Sequence, residues 1–170
     1  MRDSPSLCVV DTNIVIDLYV GGLIETFFQL PIELAAPDVI IAEMVEPEGT
    51  TLVGYGLGSC ELSGDQVMMV MHLRARHTTV STNDLFALVL AEIKAATLLT
   101  GDGNLRRLAN RRGLIVHGTL WVLDEMVRTG LIDGRRAAEA LEQIMTCGSR
   151  LPESECRRRI DQWRKAAPPP

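Results

Sequence analysis

The feature that most constrains the fold is the stretch LCVVDTNIVIDL, residues 7–18, where an apolar run meets Asp11 and apolar spacing then resumes. Residues 7–10 read as a short buried strand. Ile14 and Leu18, joined by Phe27 or Phe28, give the spacing of a helix over about residues 13–29, which Gly21-Gly22 interrupts. A strand feeding directly into a helix is the signature of an α/β fold. It also raises a problem, because a carboxylate ending a buried run is costly unless it is paired, hydrogen-bonded or bound to a metal.

The rest of the chain repeats the alternation. ELAAPDVIIAEMVEP reads as an extended piece and then a helix starting near Pro37-Asp38, with Glu43 on that helix. TTLVGYGLGSCEL, β-branched and glycine-spaced, reads as a strand or ribbon. SGDQVMMVMHLRARH opens with a Ser63/Gln66 capping box, and Val67, Met68 and Met71 are expected as core filler. STNDLFALVLAEIKA is an apolar helix, TLLTGD a buried strand ending in a loop, NLRRLANRR a basic helix and GLIVHG another strand. TLWVLDEMVRTG is a helix stopped by Gly130.

Such an order implies a mostly parallel sheet with helices on both faces. From DGRRAAEALEQIMTCG onward the chain reads as helical. Residues 1–133 are expected as the α/β body, 134–165 as a C-terminal helical extension of it, and 166–170 (AAPPP) as a disordered tail.

With 46% hydrophobic and 23% charged residues, the 170-residue chain is that of one ordinary globular domain. No stretch has the length of a signal peptide's apolar region or a membrane span, so a cytoplasmic location is expected. Cys8, Cys60, Cys147 and Cys156 are scattered without metal-ligand or disulfide patterning. The net charge of −5 hides an asymmetry: residues 1–102 carry 4 basic and 14 acidic side chains, residues 103–170 carry 13 basic and 8 acidic.

In an open parallel sheet the ligand site lies beyond the carboxyl ends of the strands. Asp11 and Asp102 both follow short apolar strands there, and such strands are expected to be central neighbours. Two charges meeting in one cleft call for a cation between them. Glu43, in an otherwise apolar helix, and Asp84, in STND, can reach the same cleft, although Ser-x-x-Asp is also a capping box. Oxygen donors without histidine or cysteine suit Mg²⁺ or Mn²⁺, which activate water and clamp phosphate oxygens. Asp17, six residues after Asp11 and on another helix face, is expected at the surface.

VVDTN, IIAEM, STNDLFALVLA and LLTGD, carrying Asp11, Glu43, Asp84 and Asp102 in order, resemble the acidic motifs of PIN-domain ribonucleases. The resemblance continues through NLRRLANRRGLIVHGTLWVLDEMVRTGLI, as in bacterial and archaeal members including the VapC-type toxins, and covers about residues 7–133. It implies a three-layer α/β/α fold and a quartet of acids, Asp11, Glu43, Asp84 and Asp102, binding Mg²⁺ or Mn²⁺. It also implies endonucleolytic cleavage of single-stranded RNA, homodimerisation and, for a toxin, a small antitoxin partner. Asn13 and Thr100 match small polar positions that would orient ligands or waters. Asn104 would do likewise, though it also suits the N-cap of the next helix.

Arg106, Arg107, Arg111 and Arg112 follow Asp102, and with Arg74 and Arg76 they are candidates for the RNA backbone. His72, His77 and His117 read as structural, and Trp121 and Trp163 as packing residues. A haloacid-dehalogenase-type phosphatase would need an acid where Asn13 stands and another where Arg106 stands. A receiver domain would need a lysine that GLIVHG lacks.

Overall fold

A computed structural model of the chain describes residues 6–166. Its centre is a five-stranded, wholly parallel sheet in the order β3-β2-β1-β4-β5. The strands are β1 (Leu7–Val10), β2 (Glu33–Pro37), β3 (Gly58–Cys60), β4 (Thr97–Leu99) and β5 (Val116–His117). β1 lies between β2 and β4, with Val9 paired to Ala35 on one side and to Leu98 on the other. The neighbouring of β1 and β4 expected from their apolar character is therefore present. Their burial on both faces accounts for that character.

Ten helices flank the sheet among the described residues: α1 (Thr12–Val20), α2 (Ile24–Phe27), α3 (Asp38–Glu43), α4 (Gly49–Tyr55), α5 (Gly64–Arg76), α6 (Thr82–Lys94), α7 (Gly103–Arg111), α8 (Thr119–Arg128), α9 (Gly134–Thr146) and α10 (Glu153–Lys165). α6, packed between α5 and α7, lies over β1, β2 and β4 on one face. α1 contacts α2, α8 and α9 on the other, completing an α/β/α sandwich. Gly21 and Gly22 separate α1 from α2, and Ala140 and Ile144 of α9 pack against Gly21. α10 lies along α9 so closely that a Cβ on Gly134 would meet the Trp163 carbonyl oxygen at 2.4 Å.

Several expectations need correction. TTLVGYGLGSCEL is not one extended ribbon: α4 occupies its first half, and only Gly58–Cys60 is strand. The helix is seated by Gly49, whose Cα approaches Ile41 too closely for any side chain, and ended by Gly56 at φ 114. Met68 and Met71 are not core filler, being 54% and 43% exposed, because α5 turns Val70 and Leu73 inward instead. Val67 is partly buried against the core. Asp17 is not a surface residue. It is buried, and its Oδ2 accepts a 2.6 Å hydrogen bond from the Thr119 hydroxyl.

Trp163 is buried as a packing residue, and Trp121 is half-buried against the core. All four cysteines are free thiols. No helix among the described residues is long and apolar enough to cross a membrane. The proline tail from residue 167 lies outside the described residues.

Candidate metal-binding active site

The chain steps outward from β1 to β2 and β3, then returns across the sheet to place β4 and β5 on the other side of β1, so the β1/β4 junction is the switch point where a parallel sheet opens a crevice. The ladder runs on past the strands. The Asp11 amide donates to the Leu99 carbonyl at 2.9 Å, and the Thr100 amide donates to His117 at 2.9 Å. Asp11 is thus held by backbone, and only 1% of its surface is exposed. It stands at the N-cap of α1 without a side-chain capping bond. Its Oδ2 instead accepts from the Thr100 hydroxyl at 2.8 Å and from Asn13 Nδ2 at 3.2 Å.

Thr100 links the two strand ends, since its hydroxyl oxygen also accepts from the Asp102 amide at 3.0 Å. Asp102 is the N-cap of α7, with Oδ1 accepting from the Leu105 amide at 2.7 Å. Asn104 is therefore not the cap. Its Nδ2 donates to the Thr79 carbonyl at 3.3 Å, tying α7 to the loop before α6, and its Oδ1 accepts from Arg107 at 2.5 Å.

Asp84 fulfils both readings that the sequence left open. Its amide donates to Ser81 Oγ at 3.1 Å and its Oδ2 accepts from the Ser81 amide at 3.3 Å, the reciprocal capping box of α6. That same cap delivers the carboxyl to the crevice, where it lies close enough to Asp11 and Asp102 for their charges to act on one another. Burial and then the neighbouring Asp84 raise the Asp11 carboxyl from 3.8 to about 6, against the opposing hydrogen bonds from Thr100 and Asn13. Burial raises Asp84 as well, with Asp102 adding to the effect and the Ser81 bonds working against it.

Glu43 is exposed at the end of α3, less enclosed than its apolar neighbours suggested. It is tied to the others by Asn83, whose Nδ2 donates to Glu43 Oε2 at 2.6 Å from the residue next to Asp84. Asn83 was missed in the sequence because it sits inside the capping box and has no motif of its own.

The donors are all oxygen and the central one is desolvated, which fits a hard divalent cation. No salt bridge among the described residues engages any of the four acids. No three His, Cys, Asp or Glu side chains among the described residues close into a metal cage. The cluster is half-open, with Asp11 buried, Asp84 and Asp102 half-buried and Glu43 exposed.

The candidate RNA-binding arginines divide into groups. Arg106, whose guanidinium donates to the Thr100 carbonyl at 3.0 Å, and Arg107 lie at the acid end of α7. Arg74 and Arg76, in the last turn of α5, precede the loop that leads to Ser81. Arg111 and Arg112 lie at the other end of α7, about 13 Å away at 1.5 Å per residue. Arg112 is paired there with Glu92 of α6, so the structure does not bring these two to the acids. Of the histidines, His72 is exposed and His77 caps the end of α5. His117 is stacked on Trp121 with ring centroids 4.3 Å apart, and burial followed by the charge of Arg106 lowers its pKa.

The fold is a parallel α/β/α sandwich with carboxylates gathered at its switch point. The family model described as "DUF3368: PIN domain" matches residues 7–165, and the chain belongs to the PIN-domain family, whose fold is that of nucleases. The match takes in α9 and α10 as well as the sheet. No curated protein matches the chain.

Proposed function

We propose that the protein is an endoribonuclease that cleaves single-stranded RNA with Mg²⁺ or Mn²⁺ held by Asp11, Glu43, Asp84 and Asp102. The observation that carries this reading is the convergence of Asp11, Asp84 and Asp102 at the switch point with no arginine or lysine among the described residues paired to them. Mutual repulsion in a desolvated crevice is relieved by a divalent cation, and such an ion supplies Lewis acidity toward water and phosphate oxygens.

The chain's residues do the positioning. Thr100 holds the Asp11 carboxylate and the Asp102 backbone in one frame, Asn13 fixes the Asp11 rotamer, and Asn83 tethers Glu43 to the residue next to Asp84. Arg106 and Arg107, beside Asp102, attract the RNA backbone to an otherwise repulsive acidic mouth. Water attacks the phosphodiester in line, leaving a 5′-phosphate and a 3′-hydroxyl. A toxin role within the VapC-type group, in the cytoplasm, fits the same site. A small antitoxin would silence it by inserting an arginine or lysine among the acids, and a homodimer is the expected assembly.

The test is cleavage of labelled single-stranded RNA during a Mn²⁺ titration, with EDTA and Asp102→Asn as controls. Metal-dependent cleavage that both controls abolish is expected. RNA binding with no metal-dependent cleavage would overturn the nuclease reading.

A further inference from the structure

A second cavity, about 770 Å³, opens directly beside Asp102. One wall is the start of α7, with Arg106 and Arg107; another is the stacked His117–Trp121 pair. The third wall comes from the C-terminal extension: Arg150, Leu151 and Pro152 of the α9–α10 connection close the cavity over the sheet end. Arg150 also lines the neighbouring 460 Å³ cavity on the other side of Asp102, so it stands where the two meet.

Most arginines of this half of the chain are ion-paired; among the described residues Arg111 and Arg136 lack a salt bridge but lie away from the cavity. Arg128, Arg135, Arg157, Arg158, Arg159 and Arg164 are each neutralised by an acid. Arg106 and Arg107 bond only to the uncharged Thr100 carbonyl and Asn104 amide, and Arg150 has no ion pair among the described residues. Three uncompensated cations therefore face one cavity. Gly118 makes room for this, since a Cβ there would come within 2.7 Å of the Arg106 guanidinium. Below the connection lies Asp17, which is bonded to Thr119 and lines the neighbouring cavity together with Ser149.

Uncompensated guanidinium groups beside a flat aromatic surface match a nucleotide with its base and phosphates. We infer that one nucleotide of a single-stranded RNA, flanking the bond cut at the acids, lodges in this cavity, its phosphates on Arg106, Arg107 and Arg150 and its base against the His117–Trp121 pair. The choice of RNA rests on the nuclease reading. The C-terminal helices are then part of the substrate site.

The experiment measures binding separately from cleavage. A fluorescein-labelled pool of random single-stranded RNA about 10 nucleotides long is titrated with the full chain in EDTA, across a salt series. Arg150→Ala, exposed and unpaired, is expected to weaken binding about fivefold and to lower the salt slope by about 0.7, one single-strand phosphate contact. In Mn²⁺ it raises KM for cleavage and leaves kcat within about twofold. Photocrosslinking with 4-thiouridine RNA is expected to map to His117 or Trp121. Unchanged affinity and salt slope in Arg150→Ala and Arg107→Ala, or crosslinks confined elsewhere, would overturn the inference even if metal-dependent cleavage is intact. Binding lost in these variants by a wild-type protein that never cleaves would uphold the cavity and overturn the nuclease reading.

Discussion

Replacing Asp11 by asparagine is expected to stabilise the metal-free protein and destabilise it relative to wild type when metal is present. Folding raises the Asp11 carboxyl from 3.8 to about 6, so the folded chain holds this proton more tightly than the unfolded one. The linkage sign follows: wild-type stability falls as pH rises from about 3.8 to about 6, and the deficit is complete above that window. At about 1.4 kcal/mol per tenfold, ionised Asp11 costs on the order of 3 kcal/mol at pH 7.5. Asparagine removes that cost and keeps an oxygen for the Thr100 hydroxyl, but it sets an amide NH₂ where a carboxylate oxygen stood. Allowing about 1 kcal/mol for that change leaves a net gain of about 2 kcal/mol. This corresponds to ~4–8 °C in Tm for a chain of this length.

Urea unfolding in EDTA at pH 4 and pH 7.5 reads this directly. The variant should exceed wild type at pH 7.5 and fall slightly below it, by about 0.5 kcal/mol, at pH 4, where little of the cost of ionised Asp11 is present and the amide change outweighs it. With Mn²⁺ at a hundredfold excess over Kd the wild type gains about 2.7 kcal/mol that the variant largely lacks, so the order reverses. An Asp11→Asn protein less stable than wild type in EDTA at pH 7.5, or a difference that does not change with pH, would refute the reasoning that repulsion and desolvation at Asp11 await a cation.

Ser81→Ala should cost about 1 kcal/mol by urea unfolding through loss of the α6 cap, and should also weaken Mn²⁺ binding by calorimetry because Asp84 loses its anchor. Asn83→Ala should leave unfolding within about 0.5 kcal/mol yet lower Mn²⁺ affinity about tenfold by freeing Glu43; unchanged affinity would remove Glu43 from the site. Asp17→Ala strands the fully buried Thr119 hydroxyl, and denaturant unfolding should show a loss of about 2 kcal/mol. Gly134→Ala pushes a methyl into the Trp163 carbonyl and should cost about 3 kcal/mol, with faster proteolysis at α10.

The acids were legible because each sits at a place the chain marks locally. Asp11 and Asp102 end apolar strands, and Asp84 sits in a capping box; the order of the motifs did the rest. What the sequence hid depends on tertiary neighbours. Asp17 looked solvated because polarity six residues along a helix suggests an outer face, but α8 covers that face and supplies Thr119. Met68 and Met71 looked buried because a methionine-rich helix suggests core, yet only one stripe of α5 meets α6. α4 was hidden by β-branched residues, whose extended preference yields to the close seat of Gly49 on Ile41. The sequence could not show that Arg111 and Arg112 point away from the acids, because adjacency along a helix is not adjacency across its length.

Thr100 and Asp11, joined by one hydrogen bond, are 89 residues apart in the chain, and Thr119 and Asp17 are 102 apart. At about 5–20 residues per second of synthesis, Asp11 leaves the ribosome roughly 4–18 seconds before its partner exists. Until β4 docks beside β1, the nascent chain holds scattered aspartates with ordinary acidity and no crevice in which to gather them. The ribosome that makes this protein thus works beside a polypeptide that has no assembled acid cluster until β4 has been made.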